Sequence, residues 1–150
     1  MSIRIRFGAL SLGASVDQQT GHLSVFDVLE EVRTHQLPVV LPNLVISLLI
    51  DKESASGFEG KVYLHHLLPD GVQNKVGVGD LSVPNEQTKM KAVFRFSGFP
   101  ISLTGRHQLV VSVVNDKADK VGEHVFDFDV VQSPQVAQAP GGKRPPGLAH

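Results

Sequence analysis

Cysteine is absent from the 150 residues, which excludes disulfides, thiolate metal ligands and a cysteine nucleophile. Tryptophan is absent too, and a single tyrosine leaves little for an aromatic platform of the kind that stacks bases or sugars. No sign of charge dominates: the formal net charge is −1 at pH 7, so no long-range field draws in nucleic acid or an anionic membrane. No apolar run approaches the roughly 18–20 residues that cross a bilayer. Missing thiols suit a reducing compartment, and a cytoplasmic location is the expectation. Export is the alternative, because Arg4 and Arg6 precede an apolar stretch over residues 7–14 that loosely imitates a signal peptide. Gly8, Ser11 and Gly13 dilute that stretch, and a first strand reads better.

What remains is a chain with 41% apolar residues, enough for one domain that buries roughly 70% of its unfolded surface. Its dominant pattern is short apolar–polar alternation broken by turn residues, which argues strands. Ile3, Ile5 and Phe7 alternate with Arg4 and Arg6, then the apolar phase shifts to Leu10, Leu12 and Ala14, as across a β-bulge near Gly8. Residues 17–21, Asp-Gln-Gln-Thr-Gly, read as a hairpin turn. Residues 24–33 carry both a helical spacing (Val25, Val28, Leu29, Val32) and a strand reading; the strand is favoured, since a helix would stand alone among strands. Pro38 and Pro42 predict an extended connection. The run Leu44-Val-Ile-Ser-Leu-Leu-Ile50 predicts a strand covered on both faces or central in a sandwich.

Further strands are expected near residues 60–68, 72–83, 88–96, 107–114 and 123–131, with a hairpin turn at Asp70-Gly71, a charged turn over residues 115–122 and a bulge at Gly77-Val-Gly79. About eight strands at this spacing predict an all-β fold, an antiparallel β-sandwich over residues 1–132. From Ser133 to the end, four prolines, three glycines and no Phe, Tyr or Trp predict a disordered tail over residues 133–150. Within it, Lys143-Arg-Pro-Pro146 is a candidate polyproline-type motif.

Chemistry is sparse. Among seven histidines, the adjacent His65 and His66 point to opposite faces of a strand and do not chelate one ion together. His22, His107 and His124 fall near strand starts and read as surface residues. No nucleophile elbow or phosphate-cradling loop is present. No catalytic set, cofactor or metal site is expected, and the chain reads as non-enzymatic. The clearest surface feature is a pair of charged stripes. Lys89, Lys91 and Arg95 lie opposite Met90, Ala92, Phe94 and Phe96; Asp127 and Asp129 lie opposite Phe126, Phe128 and Val130. The stripes are expected to pair across neighbouring strands, and otherwise to form an interaction surface or, least of all, a nucleic-acid contact.

Asp17, Gly21-His-Leu-Ser24, Leu37-Pro38, the run over residues 44–50 and Gly105-Arg-His-Gln-Leu-Val-Val-Ser-Val-Val together resemble a family of uncharacterised bacterial domains of unknown function. The resemblance spans roughly residues 5–131. It implies a bacterial origin and an immunoglobulin-like sandwich, with a strand over residues 24–33, and it supplies no catalytic or ligand residue. The expected function is therefore a protein-interaction or accessory module whose partner is another protein, not nucleic acid or membrane, with edge-strand homodimerisation open. Small-ligand or carbohydrate binding at a loop end is the alternative.

Overall fold

The computed structural model describes residues 3–134. The expected tail, with its Lys143-Arg-Pro-Pro146 motif, lies outside the described residues apart from Ser133 and Pro134. The described residues form nine strands and no helix: β1 (Ile3–Val16), β2 (Leu23–Val28), β3 (Glu31–Thr34), β4 (Val39–Lys52), β5 (Phe58–Leu67), β6 (Gln73–Val83), β7 (Lys89–Ile101), β8 (Gly105–Asn115) and β9 (Lys120–Gln132). They make a four-stranded sheet ordered β2-β1-β4-β7 and a five-stranded sheet ordered β3-β9-β8-β5-β6, the second curled into a half-barrel.

The all-β, two-sheet expectation holds, with two corrections. Nine strands replace about eight, because residues 24–33 are strand in two pieces. Asp27 adopts φ 56°, and after it the chain leaves one sheet, so β2 pairs with β1 and β3 pairs with β9. The pairing is also not wholly antiparallel, since β3 runs parallel to β9. A third difference concerns Pro42, which lies inside β4 rather than in a connection. The β1 partner of β4 begins only at Val45, so around Pro42 the strand has β7 on one side and no strand on the other, where a missing N–H is tolerated.

Turn chemistry follows the sequence. Asp17 Oδ1 accepts from the N–H groups of Gln19 and Thr20 at 2.8 Å each, and those bonds hold its carboxyl below the usual range. Gly21 supplies φ 73° to close the turn.

The run expected to be central is central: β4 sits between β1 and β7. Leu44, Ile46, Leu48 and Ile50 point between the sheets and are at most 1% exposed, each burial worth about 1.5–3 kcal/mol. Phe94 and Phe96 from β7 pack against the same core, and Phe126, Phe128 and Val130 from β9 lie within it. Val45 and Ser47 point the other way yet are equally buried. Ser47 Oγ has no hydrogen-bond partner among the described residues. Ser47→Ala is therefore expected to leave stability unchanged or raise it by up to about 1 kcal/mol, read as the urea midpoint; a loss instead would mean that the hydroxyl is paired.

The two long sides of the sandwich differ. On one, β1 meets β9 so closely that a Cβ at Gly122 would sit 2.9 Å from the Ile3 carbonyl oxygen, and the sheets are sealed there. On the other, Phe94 and Phe96 pack over Gly79 and Gly77 of β6. Just past Gly77 the β5–β6 register slips between Leu64 and His65, close to the bulge expected at Gly77-Val-Gly79, and β7 bends at Gly98, φ 77°. From there the edges diverge and leave a cleft.

Candidate functional site

The outward side of the β1-β4-β7 layer is built in cross-strand rows. Arg4, Asp51 and Lys89 form one row; Phe7, Leu49 and Lys91 the next; Ala9, Ser47 and Val93 a third; Ser11, Val45 and Arg95 a fourth. The end of β1 and all of β2 continue as a hairpin arm that folds back over this side. Arg95 secures it, donating from Nη2 to the Ala14 carbonyl at 2.9 Å, which explains why Val45 and Ser47 are buried outside the core. Between arm and layer lies an apolar groove of about 490 Å³ lined by Phe7, His22, Leu23, Val25, Leu49 and Lys91. Phe7 is 45% exposed at its wall, and Phe26 (53%) and Val28 (61%) are exposed on the arm itself.

The electrostatics of this side are one-sided. β1, β4 and β7 carry Arg4, Arg6, Lys89, Lys91 and Arg95 against one acid, Asp51, and Lys91 lines the groove itself. Partial burial pushes the Asp51 carboxyl up, but hydrogen bonds from Arg6 (3.2 Å) and Lys89 (3.4 Å) outweigh it and hold the group below its ordinary value. Asp51 therefore stays ionised and is already committed, while Lys91 forms no ion pair among the described residues.

The expected pairing of the two charged stripes does not occur. Lys89, Lys91 and Arg95 share a face as expected, but β7 belongs to one sheet and β9 to the other. Asp127 accepts instead from Gln108 Nε2 at 2.8 Å, and Asp129 pairs with Arg106 at 3.3 Å, both on β8. The five residues therefore do not form one surface. Alternation correctly assigns faces within each strand, yet it carries no information on which strands are neighbours.

A second site is the cleft between β6 and β7, about 530 Å³, with His66 and His107 at its base and Asn74, Val76, Phe96 and Phe99 among its walls. His107 is not a surface residue, contrary to expectation, but fully buried, and His66 is 5% exposed. His66 Nε2 lies 2.8 Å from His107 Nδ1, and His107 Nε2 lies 2.8 Å from the Leu103 carbonyl. A carbonyl only accepts, so His107 Nε2 carries hydrogen. With both rings neutral, His107 Nδ1 then accepts from His66 Nε2–H, and His66 Nδ1 is left with a bare lone pair. The rings stack with Phe128, whose centroid is 5.1 Å from that of His107 and 6.2 Å from that of His66. Burial, then the neighbouring His107, pushes the His66 pKa down to about 4. No cluster of three or more His, Cys, Asp or Glu with metal-holding geometry occurs among the described residues. The sequence did hold a signal for this pair: His66 continues the inward series Val62 and Leu64, and His107 begins the series Leu109, Val111 and Val113.

No family model and no curated protein matches this sequence. Solved structures do resemble it in chain path. The alkylpurine DNA glycosylase AlkC of Pseudomonas fluorescens, bound to DNA containing an abasic site analog, superposes with TM-score 0.53 at 8% identity, over 88% of this chain and 31% of that one. A β-galacturonidase of glycoside hydrolase family 2 from Eisenbergiella tayi gives 0.48 at 6% identity, over 86% and 19%. A family 123 glycoside hydrolase from Clostridium perfringens gives 0.46 at 10% identity, over 94% and 29%. This chain thus spans under a third of each of them. At such identities the likeness concerns fold alone.

Proposed function

We propose that this protein is a non-enzymatic interaction module that docks an acidic, apolar segment of a partner protein on the outward side of the β1-β4-β7 layer. The observation that carries the reading is the groove beneath the β1–β2 arm, apolar apart from His22 and Lys91, on a layer whose strands β1, β4 and β7 carry Arg4, Arg6, Lys89, Lys91 and Arg95 against one acid, Asp51. Contiguous exposed apolar surface on a soluble domain marks an interaction site, and the sign of the rim selects the partner's charge. Leu23, Val25 and Leu49 match aliphatic side chains better than flat bases, which favours a polypeptide over nucleic acid. No helix among the described residues is long and apolar enough to cross a membrane. The absence of cysteine supports a cytoplasmic setting.

The strand order supports the finer fold reading as well. The run β9-β8-β5-β6 in one sheet, facing β4 and β7 in the other, follows the G-F-C-C′ and B-E arrangement of immunoglobulin domains. An immunoglobulin-like scaffold with an extra arm is the architecture we propose.

Fluorescence anisotropy tests the docking reading, with a labelled peptide alternating leucine and glutamate set against one alternating leucine and lysine. The acidic peptide is expected to bind, more weakly as salt rises, and Lys91→Glu is expected to weaken it about tenfold, a loss of about 1.4 kcal/mol. Equal binding of both peptides, indifference to Lys91→Glu, or preference for a single-stranded oligonucleotide over the acidic peptide would each overturn it.

A further inference from the structure

We infer that the cleft between β6 and β7 binds an uncharged small ligand that presents a hydroxyl or N–H donor beside an apolar face, with His66 Nδ1 as its acceptor. The hydrogen-bond chain from the Leu103 carbonyl to His66 runs in one direction. The Leu103 carbonyl fixes the hydrogen on His107 Nε2, His107 Nδ1 takes the hydrogen of His66 Nε2, and the lone pair is left on His66 Nδ1. Ser47 Oγ is the single sealed side-chain polar atom without a partner among the described residues. His66 Nδ1 has no hydrogen-bond partner there either, so it is open, and His66 lines the cleft.

The acceptor is held firmly. Phe99 packs 5.1 Å from the His66 ring, and Phe128 and His107 stack upon it. In the β5–β6 ladder Asn74 stands directly opposite His66 and therefore on the same face, placing an amide that both donates and accepts beside the lone pair. Leu68, Val76, Phe96 and Phe99 supply the apolar wall, while Ser97 and Ser102 add hydroxyls. An apolar pocket with a few convergent polar groups is the usual form of a small-molecule site.

The same features disfavour charged ligands at His66. No Asp or Glu lines the cleft to hold a cation. An anion would meet a lone pair, not an N–H, at the base, and the low pKa of His66 means that the ring stays uncharged at neutral pH. Arg95 also lines the cleft, where the Ala14 carbonyl takes one of its five N–H groups and the guanidinium keeps its charge, so the discrimination against anions belongs to the His66 end. A site that offers a buried acceptor discriminates strongly against ligands lacking the matching donor.

Phenol and anisole are suitable probes, alike in ring and differing in the hydroxyl. Titrations followed by ¹⁵N imidazole and ¹H–¹³C methyl NMR are expected to show saturable phenol binding, with shifts at His66 Nδ1 and Val76 and an affinity at least tenfold above that for anisole. His66→Phe is expected to erase that preference while anisole still binds. Val76→Phe, which fills the cleft from the edge strand and leaves the histidine pair untouched, is expected to abolish binding of both. Equal affinities for phenol and anisole, saturable shifts elsewhere only, an unchanged preference in His66→Phe, or unchanged binding in Val76→Phe would overturn the inference, as would the absence of saturable binding.

Discussion

Phe128→Ala is expected to lower folding stability by about 3–5 kcal/mol, the range for deleting a buried phenylalanine ring. Phe128 is 1% exposed at the centre of the core. It also forms one side of the stack that clamps both histidines, at an interplanar angle of 16° to His107 and 24° to His66. The loss therefore has two parts, a cavity in the core and freedom for the histidine rings. Phe128→Leu keeps most of the apolar volume and removes the flat stacking surface. It is expected to cost less than Phe128→Ala while still loosening the pair. Equilibrium urea unfolding measures the first part, and the sharpness of the two imidazole ¹⁵N signals measures the second. A Phe128→Ala loss below about 1 kcal/mol would contradict the core assignment.

Acid is the second large lever. In the folded protein the His66 pKa is pushed down to about 4, against 6.5 for an unperturbed histidine. Between those values the unfolded chain binds a proton that the folded chain refuses, so stability rises with pH across the window. The contribution is fully present above pH 6.5 and is lost progressively as pH falls toward 4. The difference of 6.5 − 4 corresponds to a total on the order of 3 kcal/mol at 1.36 kcal/mol per unit. The cause is physical: a charged imidazole would sit in a site closed by Phe99 and Phe128, with His107 as its hydrogen-bond partner. Urea midpoints at stepped pH, for the native chain and His66→Phe, isolate this contribution. The native curve is expected to fall steeply between pH 6.5 and 4 and the variant curve to be flatter. Parallel curves would place the acid sensitivity elsewhere.

Much of the fold was legible because β-structure writes its faces into a two-residue period. Leu44, Ile46, Leu48 and Ile50 announced an inner strand, and Met90, Ala92, Phe94 and Phe96 announced an inward face. Asp17 with Gly21, and Asp70 with Gly71, announced their turns through chemistry internal to a few residues. Partnership between strands was not legible, because β7 and β9 look alike in pattern and are separated by the whole thickness of the sandwich. The charged stripes accordingly look like partners in the sequence, whereas Lys89 answers to Asp51, and Asp129 and Asp127 answer to Arg106 and Gln108. The folding-back of the β1–β2 arm was hidden for a similar reason. The Arg95-to-Ala14 bond spans 81 residues and leaves no local trace.

The histidine pair shows a different limit. Alternation already implied that exactly one of His65 and His66 faces inward, and the apolar series before His66 favours that one. A polar residue in an inward position is ordinarily a reason to doubt the register. Only the meeting of His66 with His107, across the β5–β8 ladder, makes two inward histidines consistent with a dry core. The contact satisfies His66 Nε2 and His107 Nδ1 together, and leaves His66 Nδ1 facing the cleft.

We propose the outward side of the β1-β4-β7 layer as the place where a partner binds. Backbone amide shift mapping with the acidic leucine–glutamate peptide tests it most directly. The largest shifts are expected on Phe7, Leu23, Val25, Leu49 and Lys91, with Asp127 and Asp129 unmoved. Shifts concentrated on β8 and β9, or in the histidine cleft with the groove silent, would contradict it.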